Sequence, residues 1–251
     1  MKQLLTMCLL IAGTVALGQD LTGDQVIQRV NEKLNTDMSH SIVQMTTTTT
    51  EGNERTFVYE SWSKDEGEKS LIRYQEPRRI QGQAVLMLNN AEDIWMYFPR
   101  TDRVRKMATH AKKQNMQGSD FTYEDMGGGD SFVEDFTARL LTEESMEGYD
   151  CYKLELTRKE GADISYSRIV MWVIKDNYIP VVIDYYSEDD PDLRIKRLVQ
   201  KDIKTIDSIP TAMTSVMNDL IDKSSTTMKT MEIKYDVSLS DKMFTERELQ
   251  Q

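Results

Sequence analysis

Three stretches of the chain alternate with the period of a strand yet are apolar on both faces. In 83–89, Val85 and Met87 point one way while Leu86 and Leu88 point the other. In 92–98, Ile94, Met96 and Phe98 oppose Trp95 and Tyr97; in 165–175, Ile169, Met171 and Val173 oppose Val170, Trp172 and Ile174. A sheet with one wet face alternates apolar with polar residues, so neither face of these strands is left to water. Either protein elements cover the second face, or that face lines an apolar cavity.

Around these stretches runs a strand meander. Thr22 or Asp24 caps a helix over 20–36 whose Val26, Ile27, Val30 and Leu34 share a face. The period then drops to two through 42–47, 57–62 and 71–74, with turns at Glu51-Gly52-Asn53-Glu54 and Asp65-Glu66-Gly67-Glu68. Further strands are predicted over 103–109, 149–158, 192–200 and 231–237, and 165–175 pairs with 178–187 across Asp176-Asn177. About ten to twelve short strands with hairpin-sized gaps argue for an antiparallel sheet. A second helical region is predicted over 119–137, interrupted by Gly127-Gly128-Gly129, which reads as a hinge. With no linker or repeat, residues 19–251 read as one α+β domain.

Residues 1–18 read as a secretory signal peptide, with Lys2, an uncharged apolar run over 4–17, and small residues at Ala16 and Gly18. The run is shorter than the ~20 residues that a membrane span needs. Cys8 lies inside it with Leu5, Thr6 and Met7 ahead, where a lipoprotein signal carries small residues. Cleavage near Gly18 leaves Cys151 as the one thiol, hence no internal disulfide and stability from packing.

The 251 residues are 39% hydrophobic and 29% charged, the profile of neither a disordered chain nor a polytopic membrane protein. Acidic residues outnumber basic ones 42 to 31, and a net charge of -11 argues against a nucleic-acid partner. The 16 methionines include Met87, Met96, Met107, Met171 and Met231 on predicted strands. They are either filler in a loosely specified core or a soft surface for varied apolar ligands.

Catalytic chemistry has little to work with. His40 and His110 have no metal-ligand spacing, and there is no nucleophile elbow and no glycine-rich phosphate or dinucleotide loop. The Glu188-Asp189-Asp190-Pro191-Asp192 run lacks the ligand order of a calcium loop and reads as an acidic hairpin turn. Cys151 has no basic neighbour in sequence and reads as a buried, inert thiol. Charge is uneven: 99–113 carries Arg100, Arg103, Arg105, Lys106, Lys112 and Lys113, and 117–150 is strongly acidic. The basic stretch either meets an anionic head group or acidic partner, or faces the acidic stretch or water.

Residues 77–126 carry an ordered series: PRRIQGQAVLML, then WMYFP at 95–99, R-x-R at 103–105 and QGSDFTYEDM at 117–126. This series, with the late hairpin and the terminal SDKMFTERELQ, resembles the LolA-like family of outer-membrane lipoprotein-sorting proteins. The resemblance implies a mostly antiparallel sheet curved into a half-open β-barrel, with helices covering the concave face and an apolar cavity for acyl chains between them. It further implies a non-enzymatic, cofactor-free periplasmic carrier of lipoproteins or lipids towards the outer membrane, monomeric, working between an inner-membrane exporter and an outer-membrane acceptor. The alternative is a sensor or interaction module on the same fold that regulates an envelope complex or stress response. On this reading Met87, Ile94, Trp95, Met96, Phe98, Met171 and Trp172 line the cavity, and Arg103 and Arg105 contact a head group or partner. A charge at Trp95 or Met96 is then expected to lower both stability and lipid-probe binding.

Overall fold

The computed structural model describes residues 21–127 and 131–250. The proposed signal peptide and the second and third glycines of the proposed hinge, Gly128 and Gly129, lie outside the described residues. Helix α1 (Gly23–Leu34) starts from a reciprocal cap. The Gln25 backbone N–H donates to Thr22 Oγ1 at 3.2 Å, and the Thr22 N–H donates to Gln25 Oε1 at 2.9 Å. Its Val26, Ile27 and Val30 are buried, as their spacing predicts.

The strands are β1 (Met38–Thr48), β2 (Glu54–Lys64), β3 (Lys69–Glu76), β4 (Ala84–Leu88), β5 (Asp93–Phe98) and β6 (Arg103–Lys106) in the first half. After helices α2 (Tyr123–Gly127) and α3 (Ser131–Glu134) come β7 (Phe136–Met146), β8 (Tyr149–Arg158), β9 (Tyr166–Ile174), β10 (Pro180–Ser187), β11 (Arg194–Ile206), β12 (Ile209–Asp219) and β13 (Ser225–Tyr235). All pairings are antiparallel, and the 13 strands form one curved, open sheet in the order β6-β5-β4-β3-β2-β1-β13-β12-β11-β10-β9-β8-β7. Because β1 pairs with β13 in the middle, β6 and β7 are the two edges. The segment 107–135 joins those edges, so it has to cross a face of the sheet, and it crosses the concave one.

The doubly apolar strands divide as their alternation predicts. Val85, Met87, Ile94, Met96, Ile169, Met171 and Val173 belong to one large concave core with α1, Phe121 and Tyr123. Leu86, Leu88, Trp95 and Tyr97 pack on the convex face under Phe244 and Leu249 of the C-terminal turns. Arg73 holds those turns by donating to the carbonyls of Leu249 at 3.3 Å and Glu248 at 3.2 Å. Val170, Trp172 and Ile174 form a second convex cluster with Cys151, whose thiol is buried and pushed up by that burial. The C-terminal turns therefore cover the convex face over β3, β4 and β5.

Helix α1 also closes an edge. Asp24 Oδ1 accepts from the Ala138 backbone N–H at 2.8 Å, occupying a donor that the edge strand β7 would leave free. A Cβ at Gly23 would lie 2.5 Å from the Ala138 carbonyl oxygen, so only glycine permits this approach.

Three sequence expectations need correction. The helical region predicted over 119–137 is interrupted at the glycine run as expected but is shorter: its helices are 123–127 and 131–134, and Phe136 already begins β7. The strand predicted over 103–109 ends at Lys106. Strands β7 and β12 escape sequence reading altogether. Strand β7 has helix-favouring residues and a bulge between Leu140 and Thr142 that breaks its alternation. Strand β12 mixes Thr, Ser and Met along its length, and most of it is half-buried on both faces.

Candidate ligand cavity

A cavity of about 370 Å³ lies between the concave face, the C-terminal end of α1 and the covering helices α2 and α3. Its outer end carries the exposed Leu34 and Glu66. One wall comes from β1, β2 and β3 through Ser39, Ser61, Ser63 and Ser70. The other is more apolar, with Met126, Phe132, Phe136, Ile164 and Ile169 beside Tyr166 and Tyr185. Two carboxylates of the covering segment, Glu124 and Asp125, also line it.

These carboxylates are positioned by a network that ties α2 to the sheet. The Thr122 N–H donates to Asp125 Oδ2 at 2.8 Å, and the Asp125 N–H donates to Thr122 Oγ1 at 3.1 Å. That reciprocal cap starts α2. Asp125 Oδ1 accepts from the Tyr166 hydroxyl at 2.8 Å, and Asp125 Oδ2 lies 3.6 Å from Lys196 Nζ. Both side chains of this ion pair are nearly buried, 6% exposed for Asp125 and 8% for Lys196. Burial and the Asp125 carboxylate hold the Tyr166 phenol well above its usual pKa. Glu124 accepts from the Ser165 N–H at 3.0 Å and its hydroxyl at 3.2 Å, and burial pushes its carboxyl up. Earlier in the segment, Asp120 accepts from Thr226 Oγ1 at 2.5 Å and from the Ser224 hydroxyl.

The residues assigned to the cavity from sequence separate into two groups. Met87, Ile94, Met96 and Met171 are buried in the concave core, and Phe98 packs against it. None of the five is in the lining of the cavity; they lie in the packed core beside it. Met87 sits under the end of α2, its sulfur 3.2 Å from where a Gly127 Cβ would be. Met96 accepts from the Tyr123 hydroxyl at 3.7 Å. Trp95 and Trp172 are corrections: pleat alternation turns both to the convex face. There Lys106 Nζ lies 4.8 Å over the Trp95 ring, and Trp172 Nε1 donates to Glu144 at 2.6 Å.

Arg103 and Arg105 lie exposed on the edge strand β6, with Arg105 5.9 Å from the Phe98 ring centre, and neither lines the cavity. Three lysines of the basic stretch are paired, with carboxylates outside 117–150. Lys106 meets Asp93 at 2.6 Å, Lys112 meets Glu92 and Asp163, and Lys113 meets Asp163 at 3.0 Å and Glu188 at 3.1 Å. Sequence reading missed Tyr166, Tyr185, Phe136 and the serine wall. A signal existed for Glu124 and Asp125, which close the 117–126 motif, and for Ile169, which shares a face with Met171.

One buried group of the concave core has no use in this arrangement. The hydroxyl of Tyr74, a residue with 0% exposure, has no hydrogen-bond partner among the described residues. An unmet buried hydroxyl costs about 1–3 kcal/mol. Tyr74→Phe is therefore expected to raise the thermal midpoint, by about 1 kcal/mol of added stability in a urea titration. A lower midpoint would mean that the hydroxyl has a partner after all.

A family model described only as an uncharacterized protein family matches residues 66–251. A DUF1329 family protein from Desulfovibrio piger is 30% identical, with a TM-score of 0.83, over 90% of this chain and 97% of that one. A protein from Vibrio parahaemolyticus described as an outer membrane lipoprotein-sorting protein domain is 24% identical, with a TM-score of 0.82, over 91% and 98%. A LolA superfamily protein from Nitrosomonas europaea is 23% identical, with a TM-score of 0.74, over 90% and 98%, and the latter two show the shared fold. An uncharacterized protein of Methanocaldococcus jannaschii is 24% identical over 232 residues, and the match spans 63% of its length. With the family model over residues 66–251 and a 30% identical relative matched over nearly its whole length, the chain belongs to the DUF1329 family, and it has the fold of the LolA superfamily protein and of the lipoprotein-sorting protein domain.

Proposed function

We propose that the protein is an exported carrier that holds acyl chains of lipids or lipoproteins reversibly and passes them towards the outer membrane. The observation that carries this reading is the cavity of about 370 Å³ between the concave face and the short covering helices. Its size is at the lower end of the ~300–1,000 Å³ of ligand pockets. Shielding an acyl chain is favourable by ~0.8 kcal/mol per CH2, so even partial insertion retains an amphiphile. Release then requires that the cover yield. The cover suits this, because its described residues are broken into short helical turns rather than one long helix. The lipoprotein-sorting description of the Vibrio relative supports the cargo class, and the sequence of residues 1–18 supports a periplasmic location. The reading assigns the chain no catalytic step and no cofactor.

The test is displacement of a fluorescent fatty-acyl probe, with native mass spectrometry of protein purified from the envelope. Ser61 lines the cavity and is only half-buried, so Ser61→Trp fills the space without opening the core. It is expected to weaken probe binding about tenfold, some 1.4 kcal/mol, with an unchanged thermal midpoint. Bare polypeptide from the envelope together with no probe binding would overturn the carrier. A stable protein complex without lipid transfer would favour the interaction module instead.

A further inference from the structure

The chemistry of the cavity wall also restricts the head group of its ligand, an inference that rests on the carrier reading. Among its described lining residues are three carboxylates, Glu66, Glu124 and Asp125, and no Lys, Arg or His. Lys196, the basic group nearest to Asp125, contacts that carboxylate and the Tyr166 hydroxyl and does not itself line the space. Arg103 and Arg105, assigned to a head group from sequence, stand on the edge strand β6 and do not line the space. Among the described residues lining the cavity, no cation is therefore placed to receive a carboxylate or phosphate, while Glu124 and Glu66 face it with like charge. A like charge in a partly closed, low-dielectric space repels far more strongly than in open water.

The opposite wall offers the complementary feature. Ser39, Ser61, Ser63 and Ser70 occur on three adjacent strands, at positions whose alternation directs them to the concave face. Each hydroxyl both donates and accepts, so the row can satisfy hydroxyl and ester oxygens without a charge. Ser61 and Ser70 stand on the faces of β2 and β3 that also carry Tyr59 and Ile72 in the apolar core. The polar row thus adjoins apolar surface, an arrangement that suits an amphiphile with its tail inward and its head among the serines.

We propose that the cavity selects amphiphiles with an uncharged, hydroxyl- or ester-bearing head group and discriminates against carboxylate and phosphate heads. The test compares palmitic acid with its glycerol monoester at neutral pH, each below its aggregation limit, displacing the same fluorescent probe. The monoester is expected to bind at least tenfold more tightly. Removing the serine wall with Ser61→Ala and Ser63→Ala should weaken the monoester several-fold and leave palmitic acid unchanged. Removing the charges with Glu66→Gln and Glu124→Gln should strengthen palmitic acid several-fold and narrow the gap. Equal affinities for the two ligands in the unaltered protein, with the probe still bound, would overturn the head-group assignment alone. Failure of the unaltered protein to bind the probe or either ligand would overturn the carrier reading and this inference with it.

Discussion

Replacing Asp125 by alanine is expected to destabilise the protein by about 3–5 kcal/mol and to loosen the cover of the cavity. The substitution leaves Lys196 charged, nearly buried and without the carboxylate 3.6 Å away. It deprives the Tyr166 hydroxyl of its acceptor and removes one half of the reciprocal cap that starts α2. Each loss alone is about 1–3 kcal/mol, and an unpaired buried ammonium is the largest. Asp125→Asn retains one acceptor oxygen, enough for Tyr166 or for Thr122 but not for both, and loses the charge, so an intermediate loss is expected. Urea midpoints measure the total, and amide hydrogen exchange over 116–127 measures the local effect. A shift below about 1 kcal/mol with unchanged exchange would show that α2 is anchored by its apolar contacts alone.

The second large effect separates the two faces of one strand. Met96→Glu places a carboxylate in the concave core, against the Tyr123 ring and hydroxyl. Burial of this kind raises a carboxyl by ~3–5 pKa units, equivalent to about 4 kcal/mol or more at neutral pH. That is a large share of the ~5–15 kcal/mol that holds a typical protein folded. Trp95→Glu points to the other face, where Lys106 lies over the ring and the side chain is only half-buried. It is expected to lose its apolar contact with the C-terminal turns, about 2 kcal/mol, while leaving lipid-probe binding intact. Equal damage to binding from both substitutions would contradict the separation of the faces. The sequence alone treats the two positions as equivalent for binding; the packing makes them opposites.

Much of the architecture is legible before any coordinates. The alternation of 83–89, 92–98 and 165–175 separates their apolar residues between the two faces, because the strand period of two is a local property of the backbone; the exception is Tyr166, which a register shift at the start of β9 brings to the concave side. The capped helix at Thr22 and the hairpin after Ile174 follow equally local rules. Strand β7 was not legible because its partner β8 and its cap from Asp24 lie elsewhere in the chain. The cavity was legible only as an expectation that space lay beside the doubly apolar strands. The space in fact lies next to them, over the serines of β1–β3 and the tyrosines of β9 and β10.

Taken alone, the sequence determined that this chain forms an antiparallel sheet with two dry faces, a leading amphipathic helix and a family motif ending in Glu124 and Asp125. Those are consequences of side-chain period, capping chemistry and residue type, which act within a few residues. Tertiary structure decided which dry face holds a cavity and which is covered, over β3, β4 and β5, by the C-terminal turns. It also decided that Asp125 would meet Lys196 and Tyr166 across 71 and 41 positions of chain. Contacts of that separation depend on the curvature of the whole sheet and on the route of segment 107–135 across it, which no local pattern records.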